Sequence, residues 1–160
     1  MPDSQNFNID EFVERHNLGM VSAEYRKGIK HQHALDPALP ETIQGILDDV
    51  APDFGKIIVE YVFAGIYARP GLDMKYRIIA TLAAVTALNQ VFAIKEYVRF
   101  ALNAGFNRTE IVEVLMQMSV YAGMGPAMDA LVAAKEVFAE LGVVDDSFGS
   151  ESTSSRPRAV

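Results

Sequence analysis

The sequence predicts an all-α fold. Three observations support that class. Apolar side chains recur at intervals of three and four, the Val/Ile/Thr alternation of exposed strands is missing, and Gly, Pro and Asn fall where helices should end. With 160 residues, 50% hydrophobic and 22% charged, the chain amounts to one compact domain with enough apolar surface for a core. That single all-α domain is expected over residues 9–144. Residues 1–8 and 145–160 are polar, the tail ending SFGSESTSSRPRAV, and such composition does not offset chain entropy, so both ends are expected to be flexible.

The elements follow in order. Ile9 to Asn17 forms a short helix begun by Asn8, with Glu11 three residues on as in a capping box and Gly19 as its end. Ala23 to His33 is a second, weaker helix, polar on most faces and closed by DPALP, after which Pro40 and Glu41 open a helix through about Leu47. Phe54 to Ala68 places Phe54, Ile57, Ile58, Tyr61, Val62 and Ile66 on one apolar face and stops at Arg69-Pro70-Gly71. Asp73 caps the next helix, which turns Ile78, Ile79, Leu82, Val85 and Leu88 inward before a break at Asn89. Val91 to Ala104 then ends at Gly105. Asn107 and Glu110 form a capping box for a helix whose stripe is Ile111, Leu115, Met118 and Ala122, ending near Gly123. Pro126 starts the last helix, with Met128, Leu131, Ala134, Phe138 and Leu141 inward to Gly142.

Composition removes several function classes. With 14 Lys+Arg against 21 Asp+Glu the net charge is −7, and no basic stretch could track a phosphate backbone, so no nucleic-acid partner is expected. The absence of Cys excludes thiol chemistry, disulfides and zinc–thiolate sites. The N-terminus lacks a basic region followed by an apolar run, and the most apolar stretch, Ile78 to Ile94, is shorter than a bilayer span and contains Thr81, Thr86, Asn89 and Gln90. A cytoplasmic protein with no membrane partner is expected.

Among residues that could carry chemistry, His31 and His33 stand two apart and do not share a helix face, so no metal site is expected from them. No Gly-x-Ser-x-Gly elbow is present, and the GMG of residues 123–125 follows a helix instead of a strand, which reads as a tight interhelical turn and not as a phosphate cradle. Glu60 interrupts the apolar run IIVEYVFAGIYA. It is either a solvent-side charge paired with Lys56 or a carboxyl whose burial raises its proton affinity and suits it to acid/base work. Arg69 and Arg77 flank a helix junction and could hold a substrate carboxylate, with Tyr67, Tyr97 and Tyr121 as neutral donors, although helix-end contacts explain them equally well. Met116, Met118, Met124 and Met128 either line an adaptable pocket or fill a core.

Three strings then point to a family: Arg-Pro-Gly-Leu at residues 69–72, Asn-x-Gly-x-x-x-x-Glu-Ile from Asn103 to Ile111, and Tyr-Ala-Gly-x-x-Pro-Ala at residues 121–127. Together they resemble the carboxymuconolactone decarboxylase family, which includes the alkyl hydroperoxidase D-like proteins. The likeness covers about residues 60–142 and extends more loosely to Tyr25-Arg26-Lys27-Gly28. It implies a helical bundle, a homo-oligomer (trimer or hexamer) and a small-molecule substrate. The peroxidase branch needs Cys-x-x-Cys followed by His. Gln90, Ala93 and Tyr97 stand at those positions, so thiol peroxide reduction is closed to this chain. The decarboxylase branch carries His where Tyr97 stands and Glu where Gly65 stands.

What the resemblance implies is a lyase, decarboxylase-like and free of metal or organic cofactor, acting on a small cyclic or aromatic carboxylic acid or lactone. Tyr97 would act as proton or hydrogen-bond donor, with Glu60, His31 or His33 as the second acid/base. Arg69, Arg77, Tyr67, Tyr121 and Met118 would contact the substrate. An isomerase, cyclase or dehydratase using the same pocket, or a non-catalytic oligomeric binding protein, are the alternatives.

Overall fold

The computed structural model describes residues 7–144, so of the ends expected to be flexible, residues 1–8 and 145–160, only Phe7 and Asn8 lie inside the described residues, where Phe7 packs on Phe12 and His33 and Asn8 caps the first helix. Every regular element among the described residues is helical, as the periodicity requires. The chain divides into two compact units, Met1–Ile78 and Ile79–Val160, and the division falls inside the helix Met74–Ala87. No described helix is long and apolar enough to cross a membrane.

The first unit opens with α1 (Ile9–Arg15), whose cap Asn8 accepts from the N–H groups of Asp10 and Glu11 at 3.1 and 3.2 Å. The turn after it uses left-handed backbone at Asn17 (φ 50°) and Gly19 (φ 65°). Helix α2 (Ala23–Leu35) follows, then α3 (Leu39–Leu47) and α4 (Pro52–Ile58). Without a break, α4 runs into a π-helix, Val59–Tyr67, in which the N–H of Ala68 still reaches back five residues to Phe63 O at 3.0 Å.

The polar-looking α2 is the central helix of this unit. It buries Tyr25, Gly28, Ile29, Gln32 and Leu35, and it packs most extensively on the π-helix. Gly28 makes this approach possible, since a Cβ there would collide with the Val59 carbonyl oxygen and Cγ1. The buried face of the 52–67 segment is Gly55, Val59, Phe63, Ala64 and Tyr67. The expected face is largely the outer one: Phe54, Ile57, Tyr61 and Ile66 are exposed.

His16, which ends α1, is clamped between two carboxylates: Nδ1 lies 2.7 Å from Asp48 and Nε2 lies 2.8 Å from Glu41. Arg15 pairs with the same Glu41 at 2.6 Å and with Glu11 at 3.1 Å, and Gln44 donates to Asp48 at 2.9 Å. Burial acts to lower the His16 pKa, but its hydrogen bonds to Glu41 and Asp48 and their charges outweigh it and hold the imidazolium above its ordinary value. The hydrogen bond from Gln44, then that from His16, holds Asp48 below the usual carboxylate range. A raised histidine contributes stability that is complete below its unfolded pKa and is lost as pH rises through the folded one. A lowered carboxylate loses its contribution as pH falls through its folded value. The clamp is therefore strongest between about pH 4 and 6.5, the ordinary Asp and His values. Thermal melts across pH should show His16→Gln narrowing its deficit against the wild type as pH rises above this window. A deficit independent of pH would contradict the clamp.

The second unit contains α6 (Val91–Asn103), α7 (Arg108–Tyr121) and α8 (Met124–Glu140), entered through the end of α5 (Met74–Ala87). The break at Asn89 is a left-handed residue (φ 52°), as expected of that side chain, and Gly105 and Gly123 are left-handed at φ 85° and 95°. Both bonds of the Asn107/Glu110 capping box are present, at 2.8 Å each. The inward face of α8 is Ala127, Ala130, Ala133, Ala134, Val137 and Phe138, small residues that let α6 and α7 come close, while Met128 and Leu141 point outward. Lys95 pairs with Glu136 at 2.5 Å and Arg99 with Glu140, one turn further along both α6 and α8.

Candidate functional site

The first unit gathers chemistry at the start of α2. Ser22 caps the helix with extended backbone (φ −73°, ψ 168°), and its Oγ accepts from the N–H of Tyr25 at 2.9 Å. The hydroxyl has a single proton, and it donates this to Glu60 Oε1. The π-helix brings Glu60 to that place: its first residue, Val59, is held against Gly28, and Glu60 follows it. The carboxylate thus sits by the positive end of the α2 dipole, an arrangement that favours a negative charge. Glu60 is half-buried, and its carboxyl is bonded to Ser22.

Tyr25 completes the group. It is 1% exposed, and its hydroxyl has no hydrogen-bond partner among the described residues. Burial first, and the charge of Glu60 second, push its phenol up to about 12. A group held so high stays protonated at neutral pH and keeps an O–H that can donate a hydrogen bond. Sequence reasoning did not single out Ser22 or Tyr25 as site residues. Spacing alone could have found part of this, because Ser22 stands where an N-cap belongs and Tyr25, Ile29 and Gln32 share a helical face.

The other expected residues are placed as follows. Arg77 donates through Nε to Leu72 O (3.1 Å) and through Nη2 to Arg69 O (3.0 Å), bracing the turn between the helices. The Arg69 side chain is exposed. Tyr67 is buried with its ring against Phe63, centroids 5.7 Å apart. His33 stacks on Phe7 at 4.6 Å and His31 is half-buried on the same helix. In the second unit Tyr97 is half-buried and meets Phe100 edge-on at 5.1 Å, Met118 is buried, and Tyr121 is exposed. Met116, Val120, Met124, Met128 and Val132 form exposed rows along α7 and α8. No cluster of three or more His, Asp or Glu suited to a metal occurs among the described residues.

Residues 52–136 match the carboxymuconolactone decarboxylase family. Over 105 residues the chain is 29% identical to a 4-carboxymuconolactone decarboxylase of Acinetobacter baylyi, covering 66% of this chain and 78% of that protein. It is 31% identical over 117 residues to an uncharacterised 15.0 kDa protein of Paracoccus denitrificans, covering 72% and 87%. A nitrosuccinic acid decarboxylase of Metarhizium robertsii is 26% identical over 86 residues, covering 54% and 60%. The family match contains Glu60 and Tyr97 and begins after Ser22 and Tyr25.

Proposed function

Since the chain belongs to the carboxymuconolactone decarboxylase family, we propose that it is a carbon–carbon lyase that removes CO2 from a small cyclic or aromatic carboxylic acid or lactone without metal or organic cofactor. One observation carries the reading at the level of residues: Glu60, a half-buried carboxyl, is fixed by Ser22 at the N-terminus of α2. When CO2 departs, the electron pair of the broken bond stays on carbon, is drawn onto a conjugated electron-poor group, and must then be met by a proton. The negative charge of the bound substrate carboxylate favours the protonated form of an acid beside it, and Glu60, protonated as the substrate binds, is the group that supplies that proton. Arg69, whose exposed guanidinium follows the π-helix, binds a carboxylate of the substrate. Arg77 holds the turn that presents it. Tyr97→Phe tests separately whether the phenol that stands where the decarboxylase branch carries His takes any part in turnover. The exposed apolar rows on α7 and α8 support assembly into a homo-oligomer.

Incubation with carboxyl-labelled 4-carboxymuconolactone and, in parallel, nitrosuccinic acid tests this function. Labelled CO2 released from the lactone at a rate proportional to enzyme is the expected result, and release from nitrosuccinic acid alone would replace the cyclic substrate class by an acyclic one. Conversion with the label retained would replace decarboxylation by isomerisation or cyclisation. Binding of both acids with no conversion would favour the non-catalytic binding protein.

A further inference from the structure

Tyr25 heads the fully buried side chains by size, and it belongs to one core cluster with Ile9, Phe12, Leu18, Ile29 and Val59. The hydroxyl at the end of that ring is buried and has no protein partner among the described residues, a state that costs stability. Native proteins rarely tolerate it except where a water, an ion or a reacting molecule completes the bonding. The surrounding donors are already engaged: the Tyr25 N–H bonds to Ser22, and the Ser22 hydroxyl bonds to Glu60. From solvent to core the order is Ser22 exposed, Glu60 half-buried and Tyr25 buried. The element that brings Glu60 here is a π-helix, a form found frequently at functional sites.

Resting on the reading of Glu60 as the proton source, we propose that Tyr25 is a second catalytic residue, whose hydroxyl donates a hydrogen bond to the substrate oxygen that takes up the electron pair when CO2 leaves. Ser22 is the positioning residue that keeps the Glu60 carboxyl beside it. In the step so formed, the carbon–carboxylate bond breaks, its electron pair moves through the conjugated system, and the carbonyl oxygen becomes an enolate oxygen bound by the Tyr25 O–H. The carbonyl re-forms as carbon takes the proton of the Glu60 carboxyl, which regains one from water. Tyr25 keeps its own proton throughout, as the high affinity of the phenol requires. The substrate class narrows accordingly to acids in which the carbon bearing the departing carboxylate is attached to a carbonyl, directly or through a carbon–carbon double bond.

Tyr25→Phe removes only the hydroxyl. Its Tm is expected to equal or exceed that of the wild type, because an unpartnered buried oxygen is replaced by C–H. Its kcat should fall by about 10²-fold or more with KM little changed, the typical effect of losing one such donor. A Tm lower by several degrees would show the hydroxyl bonded within the protein and overturn the proposal whatever the substrate. A kcat within about threefold of wild type would overturn it as well. Glu60→Gln, assayed beside it, separates the two levels: loss there with a fully active Tyr25→Phe refutes Tyr25 alone, whereas full activity in both also refutes the Glu60 reading. Ser22→Thr keeps the hydroxyl and should retain turnover where Ser22→Ala loses it. Equal kcat in the two would remove Ser22 from the positioning role.

Discussion

Gly28→Ala is expected to destabilise the first unit by about 2 kcal/mol, which a lower urea midpoint would register. The added Cβ meets the Val59 carbonyl oxygen and Cγ1, backbone and stiff side chain that cannot rotate away. Overpacking of that kind costs about 1–3 kcal/mol, and collision with backbone belongs at the upper end of that range. Against it stands a gain of about 1 kcal/mol in helix propensity on replacing Gly by Ala. The clash wins. Gly45→Ala in α3 is the matching control: a Cβ there has no neighbour within 4 Å, so only the propensity gain remains and the midpoint should rise. Because Val59 begins the π-helix and Glu60 follows it, pushing the two helices apart also draws Glu60 from Ser22. Gly28→Ala should therefore lose turnover in addition to stability. An unchanged or raised midpoint for Gly28→Ala would contradict the close packing of α2 on the π-helix.

Glu60→Gln is expected to lower kcat by about 10²- to 10⁴-fold, as the loss of a general acid does. The amide oxygen of Gln can still accept the Ser22 hydroxyl, so the cap of α2 and the melting temperature should be nearly unchanged. A fall in kcat with an unaltered Tm assigns the effect to chemistry. A fall in both would indicate that Glu60 serves the fold, and unchanged kinetics would remove it from the reaction.

The helices were legible where polar punctuation fixes them. Asn8, Asn107 with Glu110, Asn89 and Gly123 all act as their positions in the sequence require. Two elements were not. The segment 54–67 is apolar on nearly every side, so a 3.6-residue period finds no preferred phase, and the widening into a π-helix shifts whatever phase there is. Its inner face steps by four through Gly55, Val59, Phe63 and Tyr67, leaving Phe54, Ile57 and Tyr61 outside. Helix α2 read as weak because its buried stripe includes Gly28, Tyr25 and Gln32, which contribute little to a hydrophobicity count but pack in the core.

The candidate site was partly legible for the same reason. An acid within an apolar run is visible in one dimension, so Glu60 stood out. The hydroxyl that holds it lies 38 residues upstream and the phenol beside it 35, and only the packing of α2 on the π-helix joins them. The family match begins at residue 52 and so does not reach either one.

The central claim, that this chain removes CO2 from a carboxylic acid using the Glu60 carboxyl, is tested most directly by trapping labelled CO2 from carboxyl-labelled 4-carboxymuconolactone with the wild-type protein and Glu60→Gln side by side. The account predicts release by the wild type and release at least about 10²-fold slower by the variant. Label released equally fast by both, or retained on the acid by both, would contradict it.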